Sequence, residues 1–283
     1  MMKFGAALAA PAAGLSALAT KAVNTYAEVQ KGEVRFRNTF EVSKDPKADE
    51  AKMLEAVSLA EKLGVSLPGS TSDMLDMFSA LREQGVTMEQ VLHGTGEAAA
   101  NFATVMGVGF EQSAVMMSKF SEALDMPASQ ATELVDILQR LKGASGLTVD
   151  DLYGTFSYLG STLKTLKVGG KDAAKEISAL LTIMGGAGIE GSRAGTGLAG
   201  AMSAMANIKE KINSKGFQEK FGLEFASKGI ELSFFDKSGQ FIGTKKMFME
   251  LQKLKKLVEK ETKKEQEIFG KFPFRLFVPK NKK

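Results

Sequence analysis

Cysteine and tryptophan are absent from this 283-residue chain, and histidine occurs once. Without cysteine there is no disulfide framework, no thiolate nucleophile, no thiolate-held zinc and no iron–sulfur cluster. A single histidine removes the histidine pair that clamps a transition metal. The missing cysteine leaves the compartment open, because cytosolic proteins and assembled extracellular particles both do without it. Long apolar runs are also lacking. The stretch from Phe4 to Ala19 is mostly alanine and is interrupted by Pro11 and Gly14; the run from Ile177 to Ile189 stops after 13 residues at Glu190. Neither suffices to span a bilayer. Lys3 ahead of the first run and Ala17-Leu18-Ala19 at its end have the outline of a secretory signal. Its apolar density is too low for one, and an Ala-rich helix continuing through Tyr26 is the better reading.

What is present is ordinary for a soluble protein: 44% hydrophobic and 25% charged residues, on a chain long enough to bury a core. The net charge of +4 is unevenly spread. Thr244 to Lys283 hold 13 Lys and Arg against 5 Asp and Glu, a balance of +8, which leaves −4 for the first 243 residues. A basic tail of this kind is a solvated face, or a contact with nucleic acid or membrane.

From Ala51 onward the apolar period is helical. Met53, Val57 and Ala60 share a stripe with Gly64 as its stop; Leu75, Phe78 and Leu81 form the next, closed by Gly85. Thr87 with Gln90 three residues on reads as a capping box. Leu134, Ile137, Leu138 and Leu141 run up to Gly143, and Ile177, Leu180, Leu181 and Met184 form a later stripe. Leu152, Phe156, Leu159, Leu163 and Leu166 repeat at heptad-like spacing, the seam of a helix facing a partner. The six prolines fall at breaks between stripes or outside them. One segment differs: Ile230 to Gly243 places two short apolar arms around Asp236-Lys237-Ser238-Gly239, a pattern predicting a small β-hairpin over 230–243. Beyond it Phe248, Leu251, Leu254, Leu257 and Val258 mark an amphipathic helix.

The fold class expected is therefore mainly α, stacked helical hairpins with that one hairpin of strands. An internal repeat supports the stacking. Gly85-Val86-Thr87-Met88-Glu89-Gln90-Val91 aligns with Gly146-Leu147-Thr148-Val149-Asp150-Asp151-Leu152, and each unit is a glycine stop, an apolar residue and a hydroxyl cap. The division that follows is an Ala-rich arm over 1–50 and a helical core over 51–208 with units at about 85–145 and 146–205. After these come a linker with the β-hairpin over 209–243 and a Lys-rich helix and tail over 244–283.

No catalytic constellation emerges. Gly195-Thr196-Gly197-Leu198-Ala199-Gly200 satisfies G-x-G-x-x-G, but a helical stripe precedes it where a dinucleotide fold needs a strand. His93 stands alone beside Gly94 and reads as a surface or packing residue. Asp150-Asp151, and Asp45, Asp49 and Glu50, lack metal-ligand spacing; the first pair suits the opening turn of a helix. The 15 methionines are adaptable filler for helix seams. No catalytic residue, metal ligand or cofactor is expected.

The most distinctive stretch runs from Gly185 to Leu198. Its glycines and small residues predict a tight helix–loop–helix crossing at Gly188, Gly191, Ser192, Arg193, Ala194, Gly195 and Gly197. Gly188-Ile189-Glu190-Gly191-Ser192-Arg193-Ala194-Gly195-Thr196-Gly197-Leu198 closely resembles the signature of the helical core region of phage tail tape measure proteins. The context is similar as well: the helices upstream from Gly146, then Phe221-Gly222-Leu223 and Phe234-Phe235-Asp236-Lys237-Ser238-Gly239-Gln240-Phe241 downstream. The resemblance covers roughly Ala22 to Gly270.

It implies a structural, non-enzymatic protein in the lumen of the virion tail, assembled in the host cytoplasm, whose length sets where tube polymerisation stops. It implies self-association as a trimer or hexamer. The partners it implies are the tail tube protein, tail assembly chaperone and tail tip proteins, with DNA or membrane contact during ejection. A wholly helical chain of this length would span about 425 Å, short for a long-tailed phage. Phe272 to Pro279 also departs from the family pattern, and a truncated or frameshifted prophage copy, or one part of a split gene, is the expectation. Two other classes fit less well: a membrane-active amphipathic protein whose Ala-rich and Lys-rich ends bind anionic lipid, and a cell-wall hydrolase module, for which no acid–nucleophile set exists.

Overall fold

The computed structural model describes residues 5–39, 46–207, 234–236, 241–243 and 246–253, with side chains at all of these except 5–18 and 46. Among the described residues up to Asn207, ten α-helices follow one another: α1 Gly5–Arg37, α2 Pro46–Ser66, α3 Thr71–Glu83, α4 Met88–Gln90, α5 Gly96–Met106, α6 Phe110–Leu124, α7 Ala131–Ser145, α8 Val149–Thr165, α9 Gly170–Gly186 and α10 Gly191–Ala206. A π-turn, Val91–Thr95, joins α4 to α5, and a 3-10 turn, Ala128–Gln130, precedes α7.

Starts and stops are local chemistry. Ser70, Thr87 and Thr148 each accept from the backbone N–H three residues on, while Asp73, Gln90 and Asp151 accept from the cap backbone in return. Three capping boxes thus satisfy donors that would be orphaned at a helix start. The stops are equally regular. The N–H of Val86 donates to the Leu81 carbonyl at 3.1 Å, that of Val108 to Ala103 at 3.1 Å, and that of Met126 to Ser121 at 3.0 Å. Val168 donates to Leu163 and Ile189 to Met184, both at 2.9 Å. In every case the residue just before the donor has a positive φ: Gly85, Gly107, Asp125, Lys167 and Gly188. This is the Schellman turn, which needs a left-handed residue and sends an apolar one back toward the helix it ends.

Packing sorts the helices into two layers. One row runs α3, α6, α8, α10; the other runs α5, α7, α9; α1 and α2 both lie on α3 at one end. Helices stack as expected, but α7 and α8 each make their main contacts with the helix two places on, and α6 lies between α3 and α8; α8 and α9 are joined yet barely touch. The hairpin picture is corrected accordingly into a two-layer alternating stack. An aromatic chain crosses its middle: Phe102 to Phe120 at 5.9 Å between centroids, then Phe120 to Phe156 at 5.4 Å and 80°. Buried edge-to-face pairs of this kind add about 1 kcal/mol each to the area they bury. Between layers, Lys142 Nζ donates to the Met106 carbonyl at 3.0 Å, closing the end of α5 from α7.

Three expectations change. Gly64 does not end α2, which continues to Ser66; a Cβ there would lie 2.8 Å from the Thr71 nitrogen, so this glycine admits the start of α3. Gly143 lies inside α7, whose stop is Gly146. Finally, no strand occurs among the described residues. Of the hairpin expected over 230–243, there is one antiparallel bridge, Phe235 with Phe241, and Ile242 N–H donates to the Phe234 carbonyl at 3.1 Å. A single bridge among the described residues is not a ladder. The linker 209–233, the turn residues 237–240 and the segment 254–283, with Leu254, Leu257 and Val258, lie outside the described residues. Residues 246–253 are helical, with Met247 buried and Phe248 and Leu251 exposed.

At the stack's first end α1 is pinned to α3. Phe36 is fully buried against Phe78, and Ser72 Oγ donates to the Glu28 carbonyl at 3.2 Å. Arg35 Nη2 bonds Asp76 Oδ2 at 2.8 Å. Burial raises the Asp76 pKa above its ordinary 3.8; the exposed Arg35 opposes this, and Glu111 and Asp73 add to the rise. The folded chain therefore holds that proton longer than the unfolded one. The stabilisation is present in acid and is lost as pH rises through the raised value. The Asp76→Asn variant keeps an acceptor for Arg35 without the charge. Its melting temperature is expected to gain on wild type as the pH rises from the ordinary carboxylate range through the raised value and to level off above it; thermal melts at stepped pH check this.

Candidate functional site at a glycine-mediated helix crossing

The glycine-rich run forms the turn from α9 to α10 and the first half of α10. Gly188 has φ +72° and carries the Schellman turn that ends α9. Glu190 is the extended N-cap of α10, and Gly191 opens the helix at φ +54°. These two glycines are required by backbone conformation.

Gly195 is required by space. A Cβ built on it would lie 2.3 Å from the Thr155 carbonyl oxygen and 3.1 Å from the Thr155 carbonyl carbon and Cα. The backbones of α8 and α10 are therefore in direct contact at this point. Gly154 repeats the closeness from the other side, its Cβ position being 3.5 Å from the Ser192 nitrogen. Thr155, fully buried, shares its hydroxyl proton between the Asp151 carbonyl at 2.7 Å and the Gly191 carbonyl at 2.9 Å. That hydroxyl ties the two helices where no side chain fits between them. Asp151 is already engaged in the capping box with Thr148, so the start of α8 and the start of α10 are joined through adjacent atoms.

The expected motif residues do not all share this role. Ala194 and Gly195 are buried in the crossing, while Ser192, Arg193 and Gly197 are exposed. Gly197 meets only the Met184 methyl, at 3.7 Å. In the seam, Leu152, Phe156, Leu159 and Leu163 are buried and Leu166, at the C-cap, is half-buried. Phe156 turns toward Phe120 of α6, not toward α10. Gly160 on α8 approaches α6 as well, its Cβ position lying 3.0 Å from that of Ala123. Thus α8 is the shared member of two close interfaces. Thr155 and Gly160 went unnoticed in the sequence; the signal available was a hydroxyl and a glycine interrupting an otherwise apolar seam.

Among the described residues no cluster of three or more His, Asp or Glu could hold a metal. No helix among them is long and apolar enough to cross a membrane. The crossing binds helix to helix. Fold and site together define an α-helical packing scaffold.

Comparison with known proteins adds the identity. The model of the family described as "Phage-related minor tail protein" matches residues 56–270, which takes in the whole crossing, and the chain belongs to that family. It is also similar to the "Tape measure protein" of Pneumococcus phage Dp-1, 24% identical over 198 residues. That match covers 70% of this chain and 16% of the relative, so the chain spans about a sixth of the relative's length. No solved structure matches.

The glycines separate sharply by role. Gly195→Ala is expected to cost about 3 kcal/mol by overpacking against Thr155 backbone. Gly200→Ala meets nothing within 4 Å and is expected to stabilise by about 0.5–1 kcal/mol through lower backbone entropy in the unfolded chain. Urea unfolding of the two variants beside wild type checks both signs.

Proposed function

We propose that this chain is a structural part of the tail-assembly ruler: a tape-measure-type protein that lies in the tail lumen and helps to set where tube growth stops. The observation that carries the reading is the family match across residues 56–270, which takes in the Gly188–Leu198 run. The proposal is structural and not enzymatic. Its partners would be further copies of itself, as trimer or hexamer, and the tail tube, tail tip and chaperone proteins, met during assembly in the host cytoplasm. The units at about 85–145 and 146–205 would be repeated lengths of one scaffold, within a larger helical core over 51–208.

A ruler has a physical requirement: adding or removing chain must change the measured length. An α-helix rises 1.5 Å per residue, so a 61-residue unit is worth at most about 90 Å. Removing residues 85–145 in frame from the gene that encodes this chain is expected to shorten the phage tail by up to that amount. Duplicating the same unit is expected to lengthen it. Tail lengths measured by electron microscopy check both, and tails of unchanged length in the two variants would overturn the ruler reading. Co-sedimentation with anionic vesicles addresses the lipid-binding alternative: strong, salt-sensitive binding by the purified chain would favour that reading over this one.

A further inference from the structure

The first helix is longer than the element that covers it. α1 and α3 run the same way: Phe36 lies beside Phe78, Gly32 beside Leu75, and Ser72 bonds the Glu28 carbonyl. α3 begins at Thr71, so α1 overhangs it from Gly5 to Ala27, about 35 Å of helix. Phe36 and Gly32 are buried and Val29 is half-buried. Past the start of α3 every residue from Ala19 to Tyr26 is exposed, Val23 and Tyr26 at 66% each.

The stripe that packs on α3 does not stop where α3 does. Phe36, Val29, Ala22, Leu15 and Leu8 recur every seven residues, and Gly32, Thr25 and Leu18 fall between them at the second seam position. A sevenfold recurrence is the pattern of a helix that faces another helix along its length. From Gly5 to Ala27 there is one charged residue, Lys21, so the complement is not a charged surface. A helix that lies on anionic lipid needs a basic face, and no described helix is long and apolar enough to cross a bilayer. What fits such a seam is a helix of the same kind.

We propose that the α1 overhang pairs with that of a second copy, antiparallel, as a two-fold contact. The direction follows from the fold. In a parallel pair using this seam, each copy's α3 would start beneath the other's arm, where that copy's own residues 28–36 already lie. An antiparallel arm instead continues the line of α3 beyond its start. Gly5 of one copy then stands beside Glu28 of the other, Leu8 beside Thr25, and Leu15 beside Leu18 twice by symmetry. The two overhangs cover each other end to end, with the helical stacks at opposite ends. The pairing rests on the self-association proposed above and gives it a surface; it suits a hexamer of three pairs and not a trimer.

The chain has no cysteine, so engineered thiols report on this contact alone. In the full-length Leu8→Cys, Thr25→Cys double variant, a short bis-maleimide is expected to give a dimer whose linked peptides join position 8 of one copy to position 25 of the other. Within one chain these positions are about 25 Å apart along the helix, beyond the linker's reach. Links of 8 to 8 and 25 to 25, or no dimer, would overturn the proposal. The Leu15→Glu, Leu18→Glu double variant changes only the overhang and is expected to keep a cooperative melt. Its mass by light scattering is expected to fall at least twofold from wild type. A wild-type mass above the monomer that this variant retains would overturn the α1 surface and leave self-association standing. A wild type that is monomeric at every concentration would overturn both, while the ruler reading is decided separately by tail length.

Discussion

Every helix in this stack must stop within a few turns and still satisfy its last carbonyls. The Schellman turn meets both demands, and it recurs five times, after α3, α5, α6, α8 and α9. A left-handed residue reverses the chain, the next N–H bonds back five residues, and the donor's apolar side chain packs against the core. Met126 and Val168, two of those donors, are 3% and 5% exposed. The following helix then begins a few residues later, on the other layer. Alternation between layers is the outcome of that repeated local event, with the capping boxes at Ser70, Thr87 and Thr148 fixing some of the restarts.

The crossing of α8 and α10 depends on the last of these turns. Because the turn at Gly188 closes α9 and α9 barely touches α8, α10 is free to return to α8 and lie against it without an intervening side chain. Direct contact between backbones is tolerant of nothing larger than hydrogen at Gly195. It also leaves little apolar surface there, and the Thr155 hydroxyl, shared between two carbonyls, gives the contact its specificity. On its other side α8 approaches α6 at Gly160 and Phe156, so the middle row of helices is locked through one shared member. Close helix packing of this kind is in keeping with membership of a tail protein family.

Much of this was legible in the residues because it rests on near neighbours. The capping box at Thr87 and Gln90, the stops at Gly85 and Gly146, and the buried stripes of α3, α7 and α8 follow from spacing within one or two turns. The misread stops, Gly64 and Gly143, show the limit of that logic. A glycine inside a helix looks like a cap until a partner is known, and at Gly64 the partner is the backbone of Thr71, in the following helix. The reverse error came at Asp125 and Lys167, which hold left-handed turns without being glycine and so carried no visible mark.

By itself, then, the sequence determined that the chain is helical, where some of its helices begin and end, which faces are apolar, and which glycine-rich stretch is unusual. Those properties are set by hydrogen bonds and side-chain periods that close within a few residues. Only the tertiary structure decided that helices pair with their second neighbours, that α8 bonds α10 through Thr155, and that Gly195 is needed for space while Gly200 is not. These are contacts across tens of residues, where a single side chain's size or hydroxyl is judged against a surface that exists only once the layers have come together.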